Sequence, residues 1–427
     1  MKLTIFEQGL LPVRPLADED LGCIDSSQAE SLLEQGERMG ARVASWYGRN
    51  ALRLHQFVGS LRIGDLHLEV LPKLDGLSDP TDIRRNLLTM LAVTQDLEVR
   101  ASELVGFLAK SEPFISAFAR LYCRRLLEMV RRGLRQDYLL HQDQLPHLRG
   151  KVDWAKHVKL QANQRLEFPC IFDDRSEDTT LNRTLKAALL AASPILESPR
   201  FVSPVTELRH AMAAVADFCP TRDQLARVRT DRMNRHLEPL LALAKLILGN
   251  KNPDQGRTLQ TNRSTYALVW DMNVLFEEYV GRVAAQLLNQ RGLNLQLQTG
   301  GRHLAKETQR QKPAFLLKPD ILIQSGHTPL AVADTKWKRL DAKAPDLGVL
   351  ESDVYQLLAY AHRYEVNRAF LLYPHHPALG IPGLLREYEI QGTLRLAVVT
   401  LDLARLDTIP AVLEATLGGA CHVQSTG

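Results

Sequence analysis

The sequence has few cysteines, and none is spaced as in a metal or disulfide motif. Five occur in 427 residues, and no two of them form a CxxC pair. The pattern therefore indicates neither a zinc site nor a disulfide framework, and we expect reduced thiols. The five are Cys23, Cys123, Cys170, Cys219 and Cys421.

Long apolar runs and a strong excess of one charge are also missing. No stretch approaches the roughly 20 apolar residues of a membrane-spanning helix. The first residues, MKLTIFEQGLLPVRPLADEDLG, reach proline and acidic side chains too early for a signal peptide, so we expect a cytoplasmic protein. A net charge of +4 and a pI near 8.7 permit a nucleic-acid partner without indicating one.

The chain does have enough apolar material for more than one hydrophobic core. Hydrophobic residues make up 45% of it, and its length exceeds that of one ordinary domain. Apolar residues that alternate around a Gly64-Asp65 turn predict a β-hairpin, so we interpret residues 1–78 as a β-rich domain. Residues 79–263 have mainly helical periodicity, with a short extended segment near 146–176.

One helix in this middle region, ISAFARLYCRRLLEMVRRGL, carries several arginines. They could meet phosphates, but a solvated helix face is favoured because neither a groove nor interleaved aromatic residues accompany them. These residues are Arg120, Arg124, Arg125, Arg131 and Arg132.

The last part of the chain, 264–427, follows a polar linker-like segment at 249–264. It begins with the helical pattern ALVWDMNVLFEEYVGRVAAQLLNQRG and predicts a small α/β domain, within a chain that combines α/β and α+β domains. Its other predicted elements are strands near 294–299, 315–324 and 329–334, a helix over 351–364, the strand RAFLLYP and a strand near 394–401.

Two strand-like apolar runs in KPDILIQSGHTPLAVADTKWK each have a carboxylate at one end. Asp320 precedes the first run and Asp334 closes the second. If these strands are antiparallel neighbours joined by SGHTP, both carboxylates emerge at the same end of the sheet and can share a metal ion. Lys336 lies on the same face as Asp334, and Thr335 can offer its backbone carbonyl to the ion.

A metal-dependent phosphodiester hydrolase needs such groups. Carboxylates hold Mg²⁺, and a lysine orients or activates water or stabilises charge on the phosphate. Glu277 in LFEEYV can bring a third carboxylate, with Glu278 as the adjacent alternative. Gln356 and Tyr360 share one helical face and can hold the lysine, a ligand or a DNA phosphate. The alternative is that Asp and Lys at strand ends only solvate the rim of the sheet.

Beyond these residues, motifs along most of the chain resemble the McrC family. McrC proteins are the nuclease subunits of McrBC modification-dependent restriction systems, and their C-terminal domain belongs to the PD-(D/E)xK nuclease superfamily. The motifs, in family order, are FVGSLRIGDLHLEVLPKL, NLLTMLAVTQDLEV, RRGLRQDYLLHQDQLPHLRGKVDW, DDRSEDTTLNRTLKAAL, DMNVLFEEYV, LLKPDILI, VADTKWK, VYQLLAYA and FLLYP.

The resemblance implies a PD-(D/E)xK restriction-endonuclease-like α/β domain over 264–427. It implies Mg²⁺ as cofactor, for which Mn²⁺ can substitute. The site residues that it implies are Asp320 and Asp334 as metal ligands, Lys336 as the catalytic lysine, Glu277 as the acid of the preceding helix, and Gln356 and Tyr360 as a supporting pair.

The resemblance also implies a partner, a hexameric McrB-like AAA+ NTPase. The chain is expected to dock on it through residues 1–78, stimulate its hydrolysis, and cut double-stranded DNA marked by methylcytosine. No GxxxxGK[ST] phosphate loop occurs, so we expect this chain alone to bind no nucleotide. The alternative is a catalytically inactive assembly subunit that activates the partner's NTPase. Converging carboxylates, which repel each other until a cation joins them, argue against that alternative.

Overall fold

The structure is a computed structural model, and its contacts divide the chain into two compact units. Residues 1–114 and 261–427 form the first unit, and residues 115–260 form the second. The three-part division at 78/79 and 263/264 stays a prediction. Cys421 and the predicted linker after Gly249 lie outside the described residues. The described residues are 2–14, 22–38, 41–95, 97, 106, 114–161, 167–196, 199–249, 266–298, 301–390 and 392–419.

The regular elements are numbered in chain order. The strands are β1 (Lys2–Phe6), β2 (Leu10–Pro12), β3 (Ala44–Trp46), β4 (Ala51–Leu54), β5 (Phe57–Ile63), β6 (Leu66–Leu71), β7 (Asp137–Leu145), β8 (Lys151–Val152), β9 (Phe168–Ser176), β10 (Tyr266–Asp271), β11 (Asn294–Leu297), β12 (Arg302–Lys306), β13 (Pro313–Leu317), β14 (Ile321–Ser325), β15 (Thr328–Thr335), β16 (Arg368–Pro374), β17 (Gly383–Ile390) and β18 (Leu394–Leu401). The α-helices are α1 (Ser26–Arg38), α2 (Pro80–Thr94), α3 (Ile115–Arg131), α4 (Trp154–Gln161), α5 (Thr180–Ala192), α6 (Pro199–Ala211), α7 (Arg222–Arg227), α8 (Glu238–Gly249), α9 (Met272–Asn289), α10 (Glu351–Tyr364) and α11 (Ile409–Leu413). None of the helices in the described ranges is long and apolar enough to cross a membrane.

A four-stranded sheet in the first unit joins strands that are far apart in sequence. Its order is β1-β6-β5-β10, with β1 parallel to β6 and the other neighbours antiparallel. The predicted hairpin around Gly64-Asp65 is confirmed as β5 and β6. Leu61, Leu66 and Leu68 from this hairpin are fully buried in the core beneath the sheet. Strand β10 leads directly into α9, whose N-cap is Asp271.

The same unit also contains a six-stranded sheet. Its order is β11-β14-β15-β16-β18-β17; β15, β16 and β18 are parallel, and the remaining neighbours are antiparallel. Helix α9 contacts β11 and β15, and α10 contacts β15 and β16. Apolar side chains of α10 and of these strands share one buried core. The helix predicted over 351–364 is confirmed with these bounds.

The strand predicted over 315–324 is wrong as a single element. It is divided into β13, which pairs with β12 in a separate hairpin, and β14, which pairs with β15. Pro319 lies between them, and proline has no amide hydrogen to donate to a sheet. The break places Asp320 immediately before β14, beside the end of β15.

The second unit contains helices and one three-stranded sheet. Strands β7 and β9 pair antiparallel along nine residues each, and β8 joins the other edge of β9. The extended segment predicted near 146–176 begins earlier and is interrupted by α4. On α3, Arg120 lies over the Phe201 ring at 5.2 Å, and Arg131 pairs with Glu207 at 3.2 Å. These contacts favour the interpretation of α3 as an ordinary solvated and packed helix face.

Candidate active site

Asp320 and Asp334 meet at one end of the six-stranded sheet. Asp320 precedes β14, Asp334 is the penultimate residue of β15, and the two strands are antiparallel with Ile321 opposite Ala333. The backbone amide and the hydroxyl of Thr335 donate to Asp320 Oδ2 at 2.7 and 2.9 Å. The antiparallel pairing expected from the sequence is confirmed, and it ties Asp320 to the strand that carries Asp334.

Lys336 lies beside Asp334, as expected for residues two apart in an extended chain. Its Nζ is 2.5 Å from Asp334 Oδ2 and donates to Gln356 Oε1 at 3.1 Å. Asp353 Oδ1 is 3.9 Å from the same nitrogen. The lysine backbone amide donates to the Leu372 carbonyl, which continues the pairing of β15 with β16. The ammonium group is therefore held within the site.

Two successive hydrogen bonds link Gln356 and Tyr360 of α10 to the backbone before β14. Gln356 Nε2 donates to the Tyr360 hydroxyl at 2.7 Å, and that hydroxyl donates to the Lys318 carbonyl at 3.1 Å. This arrangement fixes the amide so that its oxygen faces Lys336. The sequence left open whether the pair holds the lysine, a ligand or a phosphate, and the structure shows contact with the lysine.

Glu277 of α9 approaches the same carboxylates. Burial raises the pKa of Glu277, and the negative charges of Asp320 and Asp334 raise it further. Gln298 Nε2 donates to Glu277 Oε1 at 2.7 Å. The pKa of the adjacent Glu278 is also raised by burial, but the charge acting on it is that of Arg282. The electrostatics therefore favour Glu277 as the acid that faces the site.

The site concentrates negative charge in a partly buried position. Burial raises the pKa of Asp334, and the charge of Asp320 adds to this, although Lys336 opposes it. For Lys336, burial would lower the pKa, but the close contact with the Asp334 carboxylate raises it above its usual value. The lysine is thus held as an ammonium ion. Its single positive charge does not offset the repulsion among the carboxylates.

The donor chemistry suits a hard divalent cation, although the side chains as placed do not form a metal cluster. Among the described residues, no three His, Cys, Asp or Glu side chains lie close enough together to hold an ion. Asp334 Oδ2 is buried and accepts no well-directed hydrogen bond, despite its ion pair with Lys336. Carboxylate oxygens are the ligands that Mg²⁺ prefers, and a cation would relieve their repulsion.

Sequence reasoning missed Asp353, a buried carboxylate of α10. Its oxygens accept from Lys338 Nζ at 2.9 and 3.3 Å and lie near Lys336. A signal was present, since Asp353, Gln356 and Tyr360 are spaced i, i+3 and i+7 on one helical face. Gln298 was also missed, and nothing in its local sequence indicates that it contacts Glu277.

Comparisons with known proteins agree with these motifs. The sequence profile of the family described as McrBC 5-methylcytosine restriction system component matches residues 52–374. The Type IV methyl-directed restriction enzyme EcoKMcrBC of Escherichia coli (strain K12) is 19% identical over an alignment of 278 residues, which covers 62% of this chain and 77% of the relative.

Two solved structures have a similar fold. One is a refined half-complex from a tetradecameric assembly of Thermococcus gammatolerans McrB AAA+ hexamers with bound McrC. A chain in it matches with a TM-score of 0.73 at 18% identity, covering 98% of this chain and 100% of that one. The other is a cryo-EM structure of the Thermococcus gammatolerans McrBC complex, with a TM-score of 0.53 at 18% identity, covering 67% and 88%.

Proposed function

Because the chain belongs to the family of McrBC 5-methylcytosine restriction system components, we propose that it is the nuclease subunit of such a system. In this proposal it is a Mg²⁺-dependent endodeoxyribonuclease. Its six-stranded sheet, with α9 and α10, is a PD-(D/E)xK nuclease domain, in which Pro319-Asp320 and Asp334-Thr335-Lys336 supply the motif.

One observation carries the proposal. The antiparallel pairing of β14 with β15 brings Asp320 and Asp334 to the same end of the sheet, with the Lys336 ammonium 2.5 Å from Asp334. Acidic and basic groups at a buried strand end are costly unless they are paired or bind a ligand. Together with the fixed Gln356 amide, they form a preorganised set of charges of the kind that phosphodiester hydrolysis uses.

The side chains take separate roles in this proposal. Asp320, Asp334, Glu277 and the Thr335 carbonyl would hold Mg²⁺, or Mn²⁺ in its place, and the ion would supply Lewis acidity at the scissile phosphate. The Lys336 ammonium orients the attacking water or stabilises the charge that grows on the phosphate oxygens.

The supporting side chains keep the lysine in place. Gln356 holds the Lys336 ammonium through its amide oxygen, and Tyr360 keeps that oxygen pointed at it.

We further propose that the chain acts with an AAA+ NTPase. The similar solved structure is described as McrC bound to McrB AAA+ hexamers. In the proposal, this chain docks on a McrB-like hexamer through residues 1–78, stimulates its hydrolysis and cleaves double-stranded DNA that contains methylcytosine. The chain carries no phosphate-loop motif, which supports assigning nucleotide hydrolysis to the partner.

The test is cleavage of a methylcytosine-containing plasmid by the complex of this chain with its AAA+ partner. We expect Asp334→Ala to abolish cleavage in Mg²⁺ or Mn²⁺ while stimulation of the partner's NTPase stays at the wild-type level. Asp346→Ala removes an exposed carboxylate of the same domain and serves as the matched control, with both activities retained. Cleavage at the full rate by Asp334→Ala would show that the site assignment is wrong.

The second candidate is an assembly subunit that activates the NTPase without cutting DNA. In the part of the chain that the structure describes, no three His, Cys, Asp or Glu side chains lie close enough together to hold an ion, which favours this alternative. It predicts that the wild-type complex shows normal NTPase stimulation but no cleavage with any divalent metal.

A further inference from the structure

A buried carboxylate from the start of the chain contacts the strand end that carries the proposed catalytic lysine. Glu7 follows β1 and is only 2% exposed. Its Oε2 accepts from the indole Nε1 of Trp337 at 3.1 Å, and its Oε1 accepts from the backbone amide of Lys73 at 3.0 Å. Both carboxylate oxygens are therefore engaged, one by the N-terminal segment and one by the residue that follows Lys336.

Trp337 stands between two proposed site residues. It is the chain neighbour of Lys336, and its ring lies 5.5 Å from the ring of Phe276, the chain neighbour of Glu277. The position of this indole is therefore linked to the lysine through the backbone and to the acid of α9 through Phe276.

The indole lies beside a cavity and has one directed contact. A cavity of about 440 Å³ borders both Glu7 and Trp337. Trp337 is only 7% exposed, and its Nε1 donates to one carboxylate. The hydrogen bond therefore adds a directed restraint to the packing of the indole.

A second contact from the N-terminal segment reaches the same two elements. The Gln56 carbonyl accepts from the Met272 amide at 2.8 Å, and its side-chain oxygen accepts from Asn273 Nδ2 at 2.9 Å. Its Nε2 donates to the Trp337 carbonyl at 3.5 Å. The start of α9 and the end of β15 are thus both attached to residues before position 60.

Glu7 is a poor choice for stability alone. A buried carboxylate loses its hydration, and a well-packed apolar side chain is often as stable or more stable in such a position. What a carboxylate provides, and an apolar side chain does not, is a directed acceptor for the indole N–H.

We propose that Glu7 is a positioning residue of the nuclease reaction. It holds Trp337 so that Lys336 and Glu277 keep their places, and the N-terminal segment is thereby part of the active-site scaffold as well as the proposed docking element. This inference rests on the proposed nuclease function, because it concerns the same site.

The experiment compares Glu7→Leu, Glu7→Gln and the control Leu66→Ala in the complex with the AAA+ partner. Leu66 is fully buried in the same four-stranded sheet and does not border the Trp337 cavity. For Glu7→Leu we expect kcat for the methylated plasmid to fall roughly 10- to 100-fold with KM unchanged, as for a small misplacement of catalytic groups. Glu7→Gln keeps one acceptor oxygen, so its kcat should fall less. Leu66→Ala should lower the melting temperature but keep the wild-type kcat below it.

A spectroscopic arm reports on the indole without any cleavage. The chain has four tryptophans, so protein labelled with 5-fluorotryptophan gives a ¹⁹F signal for Trp337 that Trp337→Phe identifies. We expect this signal to move in Glu7→Leu and to stay in place in Leu66→Ala. Should Glu7→Leu fail to fold, Trp337→Phe removes the donor from the other side and should show the same loss of kcat.

The outcomes separate the two proposals. Wild-type kcat in folded Glu7→Leu, or an equal loss of kcat in Leu66→Ala, would overturn the positioning role while leaving the nuclease function intact. If the wild-type complex cleaves nothing, the nuclease function fails. In that case an unmoved ¹⁹F signal in Glu7→Leu also overturns the hold on Trp337, whereas a moved signal supports it.

Discussion

The two large sheets of the first unit are built from the chain in different ways. The six-stranded sheet uses strands from one continuous stretch, 294–401, and supplies Asp320, Asp334 and Lys336. The four-stranded sheet combines strands from the start of the chain with β10, which lies about 200 residues later. In our proposals, the six-stranded sheet carries the catalytic side chains, and the four-stranded sheet supports them through Glu7 and Gln56. Mutations confined to one of the two sheets therefore test whether catalytic and supporting roles are divided between them.

Among the mutations that compare the two sheets, the largest effect is expected at the lysine of the six-stranded sheet. Lys336→Met removes the ammonium that contacts Asp334 and Gln356, and we expect cleavage to fall roughly 100- to 1,000-fold, the range for loss of one group that stabilises transition-state charge. Lys338→Met makes the same chemical change two residues later, where the side chain is 43% exposed and pairs with Asp353. Its effect on single-turnover cleavage should be much smaller. Equal losses would mean that general positive charge, rather than the position of Lys336, matters.

The pairing of β5 with β10 should tolerate an added methyl group less well than a turn of the six-stranded sheet does. A Cβ at Gly59 would overlap the Leu268 carbonyl oxygen and lie 2.6 Å from Val269 Cα. We expect Gly59→Ala to lower the free energy of unfolding by about 3 kcal/mol, as overpacking does. Gly326, in the turn between β14 and β15, has φ of +60° and open space around it, so Gly326→Ala should cost about 1 to 2 kcal/mol. Denaturant unfolding of both variants measures the difference, and similar costs would contradict a tightly closed junction.

Ionisation of Glu7 gives the supporting sheet a pH dependence of its own. Burial raises the pKa of Glu7 from 4.5 to about 7, against the hydrogen bonds from Lys73 and Trp337 that lower it. The folded chain thus binds this proton more tightly than the unfolded chain does. The protonated Glu7 therefore makes its full contribution to the free energy of unfolding below about pH 4.5, and this contribution is lost as the pH rises through about 7. Relative to Glu7→Gln, the wild type should be most stable at low pH and lose that advantage by about pH 8, as thermal unfolding can measure. The exposed Glu30→Gln controls for net charge, and a difference that does not vary with pH would refute the buried ionisation.

The smallest effect is expected at an exposed contact between the segment after β6 and the segment after β15. Arg339 pairs with Asp75 at 3.3 Å, with side chains 66% and 37% exposed. Exposed ion pairs contribute about 0 to 1 kcal/mol, and salt screens them. Arg339→Gln should therefore change the free energy of unfolding by under about 1 kcal/mol, and the change should disappear at high ionic strength. A larger loss of free energy of unfolding that persists at high salt would show that the buried Glu7–Trp337 contact is not the main connection between these segments.

The sequence predicted the parts of the site that depend on local periodicity. Asp320, Asp334 and Lys336 follow from strand alternation, and Gln356 and Tyr360 follow from helical spacing. Their contacts in the structure agree with that reasoning. The break of the chain at Pro319 was missed because apolar residues continue on both sides of it.

The non-local parts of the unit could not be predicted in this way. The contact of Glu7 with Trp337 joins residues 330 positions apart, and nothing in either local sequence specifies it. The pairing of β5 with β10 is similar, since alternation identifies a strand but not its neighbour. Such contacts depend on the packing of the whole unit.

The late position of β10 also has a consequence for the order in which the chain folds during its synthesis. Strand β5 emerges from the ribosome about 200 residues before β10, its antiparallel neighbour on the edge away from β6. At roughly 5 to 20 residues per second, that edge of the nascent sheet stays open for on the order of 10 to 40 s. Through that interval its backbone amides and carbonyls are available to wrong partners, including the same strand on a neighbouring nascent chain. Slowed translation between β6 and β10 should therefore increase aggregation more than the same slowing placed after β10.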